Sequence, residues 1–290
     1  MQPHSVRRLA QIDFNIPGIK NVGMELMKLL NAPEPDMDAI ARTIELDPAL
    51  FGSVLACANS PLFCGISEII DLRVAINRLG LKEIRRIVFH VVLESAFRSD
   101  NTHINKLLRS IWSQNLSVSL TMQRLASEMP QVGALPMDMV TLIYPLGLMH
   151  VIGIPVLIIN KYEAFARFVA EDLRRPLPDI FTREKEVFDG FDHFELGSEL
   201  VKRWGFPDFV PEVIACYNQP EPALDDETRI LHTLLRQARH LSEQWGYSAL
   251  PAAPEGFWLE GNVFDLAEAD LEAMETDVRE QLSRVEIMFS

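Results

Sequence analysis

Three cysteines, a cluster of arginines and lysines, and seven histidines are the side chains of this 290-residue sequence with the most evident chemistry to offer. Cys57 and Cys64 stand near the end of an apolar stretch and Cys216 lies far from both; no C-x2-C spacing links them, so neither a structural zinc site nor a disulfide framework is indicated. Cys57 and Cys64 read as small packed residues beside Ala56 and Ala58, or alternatively as reactive thiols at a helix end. Arg73, Arg78, Lys82, Arg85 and Arg86 form the densest basic cluster. Such a cluster could receive an acidic partner surface or an anionic nucleotide, or be the solvated face of two short helices. Phosphate-cradling and nucleophile motifs are missing from the sequence: there is no G-x-G-x-x-G, no G-x4-G-K-[ST] and no G-x-S-x-G. Serines, histidines and aspartates are plentiful, but a catalytic triad is defined by geometry, which residue order does not supply.

Composition sets the frame for these groups. With 48% apolar residues, 23% charged, 14 Gly and 18 Pro, the chain reads as folded, and collagen-like, low-complexity and largely disordered classes are excluded. Its length fits one large domain or two sharing a core. The net charge of −14 is uneven: residues 1–110 carry +1, residues 111–220 carry −5 and residues 221–290 carry −10. A phosphate backbone needs a cationic surface, so nucleic-acid binding by the whole chain is disfavoured, with a local patch in the first third left open. The first twenty residues hold a basic pair but no apolar core or cleavage site, so they do not read as a secretory signal; with the unpaired cysteine count, a reducing cytoplasm is expected.

The elements that must position any site are helical nearly throughout. Asp36 precedes Met37, Ile40, Ala41 and Ile44 on one face, and Asp47-Pro48 restarts a helix that Asn59-Ser60-Pro61 stops. Asp71 can cap a short helix ended by Gly80. The β-branched stretch with Ile84, Ile87, Val88 and Val91 then fits a helix or, alternatively, a strand. Residues 139–160 carry no Asp, Glu, Lys or Arg over a membrane-spanning length, yet Pro145, Gly147, His150, Gly153 and Pro155 divide the run, which favours a buried hairpin. Further stripes end at Gly205 and at Gly246. The last 25 residues place Leu271, Met274, Val278, Leu282, Val285 and Phe289 on one face, for a coiled-coil partner or for the chain's own body. Residues 246–261 read as an irregular loop, and no repeat of solenoid length is visible.

Three groups of residues resemble a known family. Asp47-Pro48-Ala49-Leu50, Leu55 to Phe63 and Ala75 to Gly80 are similar to the first signature of the bacterial HDOD domain, a non-enzymatic relative of HD-domain phosphohydrolases. Trp112-Ser113-Gln114-Asn115, Gly147 to Gly153, and His193 through Pro207 resemble its later motifs in order, over roughly residues 15–245. The resemblance implies an all-α fold: an N-terminal helical bundle (residues 1–110) packed on a degenerate HD-like helical subdomain (111–245), followed here by an irregular loop and an acidic amphipathic helix (246–290).

An HD hydrolase gathers imidazoles and carboxylates around one or two metal ions that activate water against a phosphoester. The resemblance carries those ligand positions onto Gln114, His150, Val151, His193, Tyr217, Asn218 and Arg239, of which two can ligate. Val151 offers no donor atom, and Arg239 would repel a dication. The remaining imidazoles read as satisfied core histidines, or as a polar pair or structural-ion site if they meet. The expectation is therefore a non-enzymatic signalling module without metal or cofactor, in two-component or cyclic-di-GMP signal transduction. Its partners would be proteins with receiver, kinase or cyclic-di-GMP domains on other chains, with no nucleic acid and no membrane. A receiver's β/α alternation is absent from this sequence. The alternatives are a metal-dependent phosphohydrolase and a nucleotide-sensing module.

Overall fold

Asp36, Asp47, Asp71 and Asn101 each accept backbone N–H bonds from the first turn of the helix that follows them, at 2.9 to 3.4 Å, so the polar punctuation of the first third is literally its capping scheme. The computed structural model describes residues 14, 17–32, 34–60, 63, 68–172, 179–219, 222–249, 264 and 266–289. Among them no strand occurs, and the fold is all-α.

The first four helices, α1 (Asn21–Asn31), α2 (Met37–Glu45), α3 (Pro48–Ala58) and α4 (Leu72–Ala96), pack on one another. The β-branched stretch is helical: α4 runs through it, bent at Gly80, whose φ of 76° is open to glycine without a Cβ penalty. Asn59, at the end of α3, closes the loop to α4. Its Nδ2 donates to the carbonyls of Leu55 (3.0 Å) and Ile69 (2.8 Å), and its Oδ1 accepts from Ile69 N–H at 2.8 Å. That amide pairs with the Ile69 backbone as a neighbouring strand would, and ties the end of α3 to the residue two positions before the Asp71 cap of α4.

Helix α5 (Thr102–Glu128) is the central strut. The boundary after residue 110 lies within this helix, which is common to both helical halves. Trp112 on α5 meets Phe97 beyond the end of α4 with ring centroids 5.8 Å apart, and Phe97 also meets Trp204 at 6.4 Å. One hydrophobic core consequently runs from Phe14 to Val285. Burying each of these rings contributes roughly 2–3 kcal/mol to joining the two halves.

The uncharged run forms α6 (Met137–Met149) and α7 (Gly153–Glu171), turned at His150, Val151 and Ile152. By length and composition residues Met137–Glu171 could cross a membrane, but 94% of the most apolar window is buried inside the protein. Small residues let these helices approach: an added Cβ on Gly147 would lie 2.6 Å from Ser119 Cα, and one on Gly153 would lie 1.9 Å from the carbonyl oxygen of His193. The middle of α5 is small and polar as well, with Ser119 against Gly147 and with Ser117 and Thr121 against Ser242. Ser117, Ser119 and Thr121 are fully buried, and the hydroxyls of Ser119 and Thr121 donate to the carbonyls four residues back at 2.8 Å.

The remaining helices are α8 (Asp179–Val187), α9 (His193–Arg203), α10 (Phe209–Ala215), α11 (Asp226–Gln244) and α12 (Glu268–Phe289). Met274, Val278, Leu282 and Val285 of α12 are buried against α5 and α3, so its apolar stripe covers the chain's own body. Of the irregular loop, residues 250–261 lie outside the described residues. Gly153→Ala should lower the unfolding free energy in urea by about 3 kcal/mol, since backbone cannot yield to the methyl group. Gly52→Ala, in open space within α3, should raise it by roughly 0.5–1 kcal/mol.

Candidate functional site

The turn between α6 and α7 delivers His150 to the centre of the molecule, fully buried. Its Nδ1 lies 2.7 Å from the Gly147 carbonyl oxygen and its Nε2 lies 3.3 Å from Arg239 Nη1 on α11. A carbonyl can only accept and a guanidinium can only donate. The proton therefore sits on Nδ1, and the Nε2 lone pair accepts from Arg239. Burial first, and then the charge of Arg239, hold the imidazole well below its ordinary pKa of 6.5, so it stays neutral. Arg239 is tied in turn to Glu243, one turn along α11, through Nε (2.9 Å) and Nη2 (2.6 Å) on the same carboxylate oxygen. Buried charges persist in an interior when they are paired in this way.

The second imidazole goes elsewhere. His193, the first residue of α9, donates from Nδ1 to the buried Glu184 carboxylate at 2.8 and 2.9 Å, and its backbone N–H donates to the same group at 3.1 Å. Glu184 thus sits at the positive end of α9, a favourable place for an anion. The Asp192–Glu195 capping box secures that helix start. Between the two histidines lie aromatic rings: Tyr217 is 5.7 Å from His150 and 5.0 Å from Phe194, centroid to centroid. No hydrogen bond or ring contact joins His150 to His193, so they form no polar pair.

The structure thus brings His150, Tyr217 and Arg239 together and sends the other positions to separate tasks. Gln114, buried on α5, accepts from the backbone N–H of Ala249 at 2.7 Å and holds the segment after α11. Val151 is apolar core, and Asn218 is half-buried in the turn after α10. Two residues that complete the arrangement were not singled out from sequence. Glu243 was signalled by its i+4 spacing from Arg239 on a helix. Glu184 had no signal, because it reaches His193 from a different helix.

The basic cluster does not form one surface. Arg86 is 8% exposed, donates to Glu83 (2.9 Å) and Gln123 (2.7 Å), and lies over the Tyr144 ring; Arg85 donates to the Leu30 carbonyl at 2.5 Å. Five cations on adjoining helical turns point in different directions, and these two turn into the fold. Arg73 stays outside, paired with Asp38 at 2.8 Å, and Arg78 and Lys82 are exposed. Cys57 is packed in the core, its thiol pushed up to about 12 by burial and by Glu83, which makes it inert. Cys64 lies outside the described residues.

These residues do not fit a catalytic metal. Among the described residues no three His, Cys, Asp or Glu side chains gather as a ligand set. The Nε2 lone pair of His150 is occupied by a cationic donor, which a dication would have to displace against electrostatic repulsion.

Comparison with known proteins gives the family and the fold. A family model described as the HDOD domain matches residues 16–220. An uncharacterized protein of Treponema pallidum (strain Nichols) is 22% identical over 247 residues, which cover 84% of this chain and 46% of the relative. The chain therefore spans less than half the length of that curated relative. A solved structure from Marinobacter aquaeolei VT8, provisionally described as a signal transduction protein, is 22% identical with a TM-score of 0.68, over 97% of this chain and 59% of that one. Another, from Shewanella amazonensis SB2B and provisionally described as a phosphohydrolase, is 20% identical with a TM-score of 0.60, over 94% and 92% of the two chains. At these identities the likeness shows a shared fold.

Two outcomes follow from the charges. Arg239→Ala, which strands a buried carboxylate, should cost about 3–5 kcal/mol in urea unfolding, and Arg239→Met/Glu243→Leu should recover part of it. His150, and His232 with its pKa pushed down to about 4 chiefly by burial, are neutral when folded. Below pH 6.5 the unfolded chain gains protons at both that the folded chain refuses, so stability is full above pH 6.5 and falls as pH drops towards 4. The slope contributed by each approaches about 1.4 kcal/mol per pH unit, and His232→Gln should remove one such contribution.

Proposed function

The chain belongs to the HDOD domain family, and from that premise we propose that it serves signal transduction as a non-catalytic module acting by protein–protein contact. The observation that carries the reading is the Arg239 guanidinium bound to the lone pair of His150. A hydrolase of this architecture would need that nitrogen for a metal ion and a carboxylate in place of the guanidinium. With both changed, the core has been converted from a chemical site into a rigid polar clasp, and function passes to the outside of the molecule.

The partners in this proposal are signalling proteins that carry receiver, kinase or cyclic-di-GMP domains on other chains. Two surfaces suit them. One is the outer side of α4 with Arg73, Arg78 and Lys82; the other is the acidic outer side of α12, where Glu268, Asp270, Glu272 and Glu280 are exposed. Charge of one sign on a surface steers association with an oppositely charged partner. A cytoplasmic setting belongs to the same proposal and goes with the unbridged thiols of Cys57 and Cys216.

The test uses the full chain and purified receiver, kinase and cyclic-di-GMP domains from the native host. Binding to at least one is expected, weakened by about tenfold by Arg73→Glu/Arg78→Glu or by neutralising the exposed acids of α12. Elemental analysis of the same preparation should give Mn, Fe and Zn well below one per chain. Stoichiometric metal that is lost in His150→Gln or His193→Gln, together with turnover of a phosphodiester, would establish the phosphohydrolase instead.

A further inference from the structure

A cleft of about 340 Å³ opens between α3, the C-terminal end of α4 and the first half of α5, and none of its lining residues belongs to the His150 clasp. Its size falls at the lower end of the range of small-molecule sites. The ionisable groups lining it are Glu94, Arg98 and Arg109, two cations against one carboxylate in a protein of net charge −14. Its apolar wall comes from Leu108, Phe97 and Trp112, which belong to the core and are held in place by it.

The two guanidiniums differ from most others among the described residues. Arg85, Arg86, Arg183, Arg239 and Arg279 are all consumed by carboxylates or carbonyls. Arg98 and Arg109 are exposed, and among the described residues neither hydrogen-bonds nor ion-pairs at close range. They come from separate elements, one just past α4 and one on α5, and both act on Glu94 through their charge. His90, 3.6 Å from Glu94, supplies no counter-charge, because burial pushes its pKa down to about 4. Guanidinium forks left open beside an apolar wall are the elements of carboxylate recognition. Glu94 limits the charge of the guest: a second negative charge would be opposed by a carboxylate already in the same field.

We propose that this cleft binds a small organic carboxylate, its anion held by Arg98 and Arg109 and its apolar body laid against Leu108 and Trp112. The site is independent of the signalling reading, and either can fail without the other.

Isothermal titration of the full chain with acetate, hexanoate, phenylacetate, phenylacetamide and phenyl phosphate tests it. Phenylacetate and hexanoate should bind with dissociation constants at or below about 1 mM, acetate at least about tenfold more weakly, and the neutral amide not measurably. Arg98→Ala/Arg109→Ala should weaken phenylacetate by about tenfold or more with circular dichroism and urea midpoint unchanged, and Glu94→Gln should strengthen phenyl phosphate. Absence of heat from every carboxylate at about 10 mM, undiminished binding in the double variant, or phenyl phosphate binding the native chain more tightly than phenylacetate would each overturn the proposal.

Discussion

His150 Nε2 accepts a hydrogen bond from Arg239, and Arg239 is neutralised by Glu243 inside the same buried volume. Each member of this chain of three solves a problem set by another. A buried guanidinium needs a carboxylate, the carboxylate needs donors, and the imidazole needs a donor for one nitrogen and an acceptor for the other. The Gly147 carbonyl supplies that acceptor, so the arrangement closes on the backbone of α6. Removing any one member would leave a charge or a lone pair in a medium of low dielectric, which couples the three energetically.

The surrounding helices are arranged so that this clasp can exist. Gly147 lets α6 lie against Ser119 of α5, and Gly153 lets α7 abut the first turn of α9, three residues to either side of His150. The imidazole is thus held in a turn whose two flanks are in backbone contact with neighbouring helices. Such contacts leave little room for the turn to change shape. The aromatic wedge of Tyr217 and Phe194 then fills the space between His150 and His193, where hydrolytic relatives of this architecture would need open coordination positions.

Much of this was legible in residue order. Asp36, Asp47 and Asp71 announced helix starts because an N-cap side chain acts on the next three residues, a purely local matter. The buried hairpin was legible from the glycines and prolines that interrupt an uncharged run. Arg85 and Arg86 misled because linear density of charge says nothing of direction: successive residues on a helix are about 100° apart, and these two turn inwards to Leu30, Glu83 and Gln123. The pairing of His193 with Glu184 was illegible for a related reason, since the two approach only after α8 and α9 have docked.

Asn59 illustrates how far a single amide can reach. Its side chain is engaged as donor and acceptor, and the N–H of Ser60, which would otherwise attack the amide carbon, donates to the Cys57 carbonyl at 3.0 Å. Asparagine followed by serine is a pair that loses ammonia slowly when the backbone is free to fold back on the side chain. Here the folded state denies that motion, so chemical ageing at this position becomes a clock that runs only in molecules that have opened. The aspartate it leaves would face the oxygens of Leu55 and Ile69 with its own charge, and a molecule so altered would join the end of α3 to Ile69 less readily at each later refolding.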